Sequence, residues 1–159
     1  MRRPTSPVVR AAVAAAALVL ASGCRPSRGG AAAQGGIAVS HVVMPVPASR
    51  AEAAVFMVIE NRSGAPLTLT GGSSPDAETL RLHREIGGLM EPVPGIEIPA
   101  GGRVRLVPGG YHLMLENVGR ALSVGDTVIL HLDFEPGVSL TVKVPLLTYT
   151  DAVSDLPMR

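Results

Sequence analysis

The chain reads as an all-β sandwich. Three observations predict this. From residue 37 onward, short apolar runs alternate with turns rich in Gly, Pro, Asn and Asp; the clearest runs have a two-residue hydrophobic period; and no stretch carries a convincing amphipathic helical period. The segment 37–147 holds about 110 residues, a usual size for one domain built around one core.

The first 23 residues form a targeting segment. Arg2, Arg3 and Arg10 supply a basic start, Ala11 to Ala21 is an apolar stretch too short to span a bilayer, and small residues lead into Ala21-Ser-Gly-Cys24. This resembles a bacterial lipoprotein signal cleaved just before Cys24, which then becomes the lipidated first residue; an ordinary secretory peptide with an incidental cysteine is the alternative. Removing residues 1–23 takes three of the 14 basic side chains and none of the 13 acidic ones, leaving a formal charge of about −2. Nucleic acid is therefore not an expected partner, because that binding relies on a clustered positive field. Cys24 is the one cysteine of the chain, so the domain has neither an internal disulfide nor the thiolate that a blue-copper electron-transfer site needs. Residues 24–36, rich in Gly and Ala, read as a flexible tether to the membrane anchor.

The strands follow in order. The first opens at Ile37 and contains His41, assigned to structure or solvent. Ala54-Val-Phe-Met-Val-Ile-Glu60 is apolar on both faces, with Met57 as core filling; Met44 is open between core and a place beside the site described next. In Glu78-Thr-Leu-Arg-Leu-His83, Leu80 and Leu82 share one face and Thr79, Arg81 and His83 the other. Tyr111-His-Leu-Met-Leu-Glu-Asn117 repeats the pattern, with Tyr111, Leu113 and Leu115 facing the core and His112, Met114 and Glu116 outward. Asp126–Glu135 buries Val128, Leu130, Leu132 and Phe134 and leaves His131 in solvent. Val138–Val144 alternates cleanly and stops at Pro145; residues 148–159 read as a loose tail.

The chemistry concentrates on His83, Met90, His112 and Met114. A His and a Met two apart on one strand face have Cα atoms about 6.5–7 Å apart, close enough to reach one ion. Thioether and imidazole donors in the polar register suit a soft metal, above all Cu(I). An exposed rim site is the expectation. Nothing favours an enzyme: there is no Ser-His-Asp order, paired carboxylate site or phosphate loop, and Gly101-Gly102 and Gly109-Gly110 read as turns.

The domain resembles the PCu(A)C family of periplasmic copper chaperones. The matching pieces run in order: Ile37-Ala-Val-Ser, Ala53-Ala-Val-Phe-Met-Val-Ile-Glu-Asn61, Leu82-His83, Gly95-Ile-Glu-Ile-Pro-Ala-Gly101, Leu106-Val-Pro-Gly-Gly-Tyr-His-Leu-Met-Leu115 and Leu122-Ser-Val-Gly-Asp-Thr-Val. The family's metal motif is His, ten residues, Met, twenty-one residues, His-x-Met. Met90, His112 and Met114 reproduce its second half with the 21-residue interval, whereas only six residues separate His83 from Met90, which implies a shortened hairpin turning at Gly87-Gly88. The family's usual aromatic in the first strand is replaced by Met44.

The resemblance implies a cupredoxin-like Greek-key β-sandwich and a carrier outside the cytosol. Such a lipoprotein, periplasmic or otherwise at the cell envelope, would bind Cu(I) and deliver it toward the dinuclear copper centre of cytochrome c oxidase, to subunit II or to another chaperone. Two other functions compete: a copper-buffering or resistance lipoprotein, and a metal-free envelope sandwich.

Overall fold

The computed structural model describes residues 29–157, so the targeting segment and Cys24 lie outside the described residues. Eleven strands and one helix are seen among the described residues: β1 (Gly30–Gln34), β2 (Ile37–Pro45), β3 (Glu52–Asn61), β4 (Leu67–Ser73), β5 (Ala77–Ile86), β6 (Leu89–Pro92), β7 (Ile96–Ile98), β8 (Arg103–Leu106), β9 (Tyr111–Val118), β10 (Thr127–Glu135), β11 (Val138–Leu147) and α1 (Tyr149–Asp155).

Two layers result. One runs β6-β5-β9, continues through β3 and β8 to β2, and ends on β1; the other runs β11-β10-β4-β7. The first half of β3 pairs with β9 and its second half with β8. A short parallel pairing, Leu146 with Met44 and Leu147 with Pro45, joins the layers at β11 and β2. The chain crosses between layers from β3 to β4 and back from β4 to β5, so that each layer draws on distant segments.

The core lies between the layers and is the apolar register of the alternating strands. Leu80 and Leu82 of β5, Leu113 and Leu115 of β9, Val128, Leu130, Leu132 and Phe134 of β10, and Leu140, Val142 and Val144 of β11 are all buried there. Met57 joins them. Met44 does too, and so lies inside the sandwich rather than beside the histidines. At one end Asn61 is buried, donating from Nδ2 to the Ala65 and Ile98 carbonyls and accepting from Ser63 at Oδ1. His41 stands at a register break in β2 with φ 51° and contacts Ser40 Oγ, while exposed His131 contacts Thr141 Oγ1; both are structural or solvated, as expected.

Two segments differ from the sequence reading. The expected tether carries β1, an antiparallel partner of β2 joined by Gly35 and Gly36 at φ 59° and 80°. Only glycine takes both of these values freely, and the small alanines before it fit an added edge strand. The expected loose tail carries α1. Thr148 caps it, its Oγ1 accepting from the Asp151 amide at 3.2 Å, and Ala152 and Leu156 are buried.

Candidate metal centre

Strands β5 and β9 set the site because they pair antiparallel over most of their length, with His83 directly opposite His112 and Arg81 opposite Met114. On the other side β6 pairs with β5, setting Pro92 opposite His83 and Met90 opposite Glu85. Directly paired residues project to the same face. His83, Glu85, Met90, Pro92, His112 and Met114 therefore share the face of this ribbon turned away from the main core. The parity read from the sequence holds for His83, His112 and Met114, and the β5–β6 pairing puts Met90 on the same face.

Met90 follows the rim expectation, whereas His112 and Met114 do not. His112 is 2% exposed and Met114 4%, while Met90, on the edge strand, is 56% exposed. His112 and Met114 border a second, smaller apolar cluster on the outer face, made of Val43, Phe56, Ala152 and Leu156, with Ala54, Val107 and Leu147 packed around it. Ala54 is the cross-strand neighbour of Met114. Helix α1 thus covers part of a face that alternation alone assigns to water.

The imidazoles are close. The His83 and His112 ring centroids are 5.7 Å apart with the planes at 73°, and the Phe56 ring stands 6.4 Å from His112 on another side. His112 Nδ1 lies 3.2 Å from the Gly110 carbonyl. A carbonyl only accepts, so Nδ1 carries the proton and Nε2 is left with its lone pair. That Nε2 and His83 Nδ1 are buried and, among the described residues, are the two buried side-chain nitrogen or oxygen atoms without a hydrogen-bond partner. An orphaned buried acceptor costs about 1–3 kcal/mol. Burial, opposed by the Gly110 hydrogen bond, holds the His112 imidazole below its ordinary pKa and so in its neutral, ligating form.

Charge around the pair is arranged in strips. Arg81 pairs with Glu116 at 3.2 Å beside Met114, so its positive charge is partly neutralised there. On the opposite face Arg84 lies 5.5 Å over the Tyr111 ring, clasping β5 to β9 one residue from each histidine. Among the described residues no group of three or more His, Cys, Asp or Glu side chains is placed to hold an ion. A metal on this face would draw on methionine sulfur beside imidazole, and that donor set fits Cu(I).

Phe56 is the site residue that strand alternation did not single out. The signal was present in Ala54–Glu60, whose apolar character on both faces requires a second covered surface.

Comparison with known proteins follows the same lines. The copper-bound PCuAC domain from PmoF2 superposes with a TM-score of 0.65 at 25% identity, covering 74% of this chain and 97% of that domain. The solution structure of CuI-DR1885 from Deinococcus radiodurans gives 0.58 at 30% identity, over 68% of this chain and 76% of that one. The fold is thus the cupredoxin-like β-sandwich of PCuAC domains. A family model described as "Putative lipoprotein LpqE-like" matches residues 37–146, and the chain belongs to that family, within the PCuAC group. A curated relative, "Putative lipoprotein Lxx21020" of Leifsonia xyli subsp. xyli, is 30% identical over 104 residues, which are 62% of this chain and 63% of that protein's length.

Proposed function

We propose that this protein is a copper carrier of the cell envelope that holds Cu(I) with His83, His112, Met114 and Met90. One observation carries the reading: two directly paired imidazoles each turn a buried, unpartnered nitrogen onto a face that also bears two thioethers. The likeness to copper-bound PCuAC domains supports it.

The donor set suits carriage. Thioethers bind Cu(I) without losing a proton, and imidazoles need only be neutral. Neutral donors add no charge to the pocket, which matters where burial makes an uncompensated charge costly. The ligands also differ in access. His112 and Met114 are enclosed, whereas Met90 stands on an exposed edge strand. Copper would therefore enter and leave on the Met90 side, where an acceptor's donor can replace the Met90 thioether before the histidines release the ion. Exchange proceeds through a mixed-ligand intermediate, with no free ion.

The finer reading is delivery toward the dinuclear copper centre of cytochrome c oxidase from a carrier anchored at lipidated Cys24. Cu(I) is titrated against a chromophoric chelator, X-ray absorption is recorded on the loaded protein, and the loaded protein is mixed with a soluble oxidase subunit II fragment. Mixed nitrogen and sulfur scattering with transfer to the fragment is the expected result. Binding without transfer would make the protein a copper buffer, and no binding would leave a metal-free envelope sandwich.

A further inference from the structure

Behind His112 stands a wall that the main core does not need. The Phe56 ring meets the His112 ring edge-on, at 6.4 Å and 61°. Phe56 is in turn packed with Val43, Ala152 and Leu156 in a cluster separate from the sandwich core, and the last two come from α1 and its C-cap. None of the main-core residues belongs to α1, which begins after β11 is complete. A helix of seven residues is too short to persist without tertiary packing, so the cluster is what holds it in place.

His112 is consequently confined on three sides. Its Nδ1 is tied to the Gly110 carbonyl, the His83 ring lies across β5, and Phe56 closes the remaining flank. A single hydrogen bond at Nδ1 leaves the imidazole free to swing about that bond; a packed ring beside it removes this freedom. Nε2 itself is buried beside this wall.

We propose that Phe56, backed by α1, is a positioning residue for copper: it holds the His112 imidazole so that Nε2 faces the ion and stays dry. This rests on the copper-carrier reading above. The C-terminal helix is then part of the metal site without supplying a ligand. Groups that orient a ligand from outside the coordination shell alter metal affinity by about 10–100-fold.

The test uses the full chain as wild type, Phe56→Leu, Phe56→Tyr and Leu156→Ala, with Leu132→Ala as a control in the core of the other layer. Transfer of Cu(I) to a chromophoric chelator is timed, thermal unfolding is recorded, and the imidazole nitrogens of the copper-free proteins are observed by NMR. Phe56→Leu and Leu156→Ala are expected to release copper about tenfold faster and to show mixed His112 tautomers. Phe56→Tyr should stay near wild type, and Leu132→Ala should lose thermal stability without faster release. A folded Phe56→Leu protein with wild-type release and an unmixed His112 tautomer overturns the inference; if that variant fails to fold, Leu156→Ala decides by the same criteria. A wild-type chain that takes up no Cu(I) overturns the carrier reading instead, and the tautomer measurement on the copper-free proteins still decides the role of Phe56.

Discussion

His83 and His112 face each other across β5 and β9 with ring centroids 5.7 Å apart, and neither buried inward nitrogen, Nδ1 of the first or Nε2 of the second, is hydrogen-bonded. A pair built only for stability would not retain this arrangement. Replacing His112 by leucine removes an orphaned acceptor costing about 1–3 kcal/mol and one hydrogen bond contributing about 1 kcal/mol. The copper-free His112→Leu protein should therefore be as stable as wild type or up to about 2 kcal/mol more stable. Its Cu(I) affinity should fall by more than about 100-fold, since loss of a mere outer-shell partner already reaches that figure. Calorimetry and chelator competition check the two halves. A large loss of stability with unchanged copper affinity would make His112 a core residue and no ligand.

Acidification should weaken the copper-free fold through the same side chain. Burial lowers the His112 pKa from its ordinary 6.5, with the Gly110 hydrogen bond opposing and the His83 interaction assisting. In the unfolded chain the ring takes up its proton near 6.5, before the folded one does. Stability from this group is thus complete above that pH and declines as pH falls toward the lower folded value, because the unfolded state then binds more protons. Thermal unfolding of wild type between pH 7.5 and 5.5 should show this slope, and His112→Leu should show a shallower one. Equal slopes in the two proteins would remove the buried imidazole as the cause.

Much of the site was legible because β5 and β9 each press one face against the main core. Leu80 and Leu82, then Leu113 and Leu115, fix the parity, and His83, His112 and Met114 must lie on the other side. What parity does not reveal is whether that other side is wet. The second apolar cluster beside that face is completed by α1, which has fewer than two turns, too few for an amphipathic period to stand out. The strand β1 was hidden for a related reason. Gly30–Gln34 has no hydrophobic alternation of its own and is ordered by pairing with β2. Nor does spacing along the chain say that His83 and His112 are directly opposed, because that register depends on how the intervening residues turn.

The two methionines should separate stability from copper binding. Met114 is buried, so Met114→Ala should cost about 2–5 kcal/mol as well as affinity. Met90 is 56% exposed on an edge strand, so Met90→Ala should change stability by no more than about 0.5 kcal/mol while still weakening Cu(I) binding. Each substitution should also reduce the sulfur contribution to the X-ray absorption of the loaded protein. Unchanged sulfur scattering in Met90→Ala would remove that side chain from the ligand set and leave the exposed hairpin without a role in exchange.

The turn that carries Met90 offers a sharper test of its placement. Gly87 and Gly88 have φ of 60° and 83°, and a Cβ at either would meet nothing within 4 Å. Substitution is thus opposed by backbone conformation alone, at about 1–2 kcal/mol per residue. Among the described residues strand β6 pairs only with β5, so a distorted turn should disturb the hairpin and leave the core intact. In Gly87→Val/Gly88→Val the pairing of Glu85 with Met90 should slip, turning Met90 away from the face it shares with His83. Copper affinity should drop about as far as in Met90→Ala. Combining the turn variant with Met90→Ala should cause no further loss, because both changes remove one and the same ligand. A chelator competition across these four proteins gives the coupling directly, and additive losses would show that the turn affects copper by some route other than the Met90 thioether.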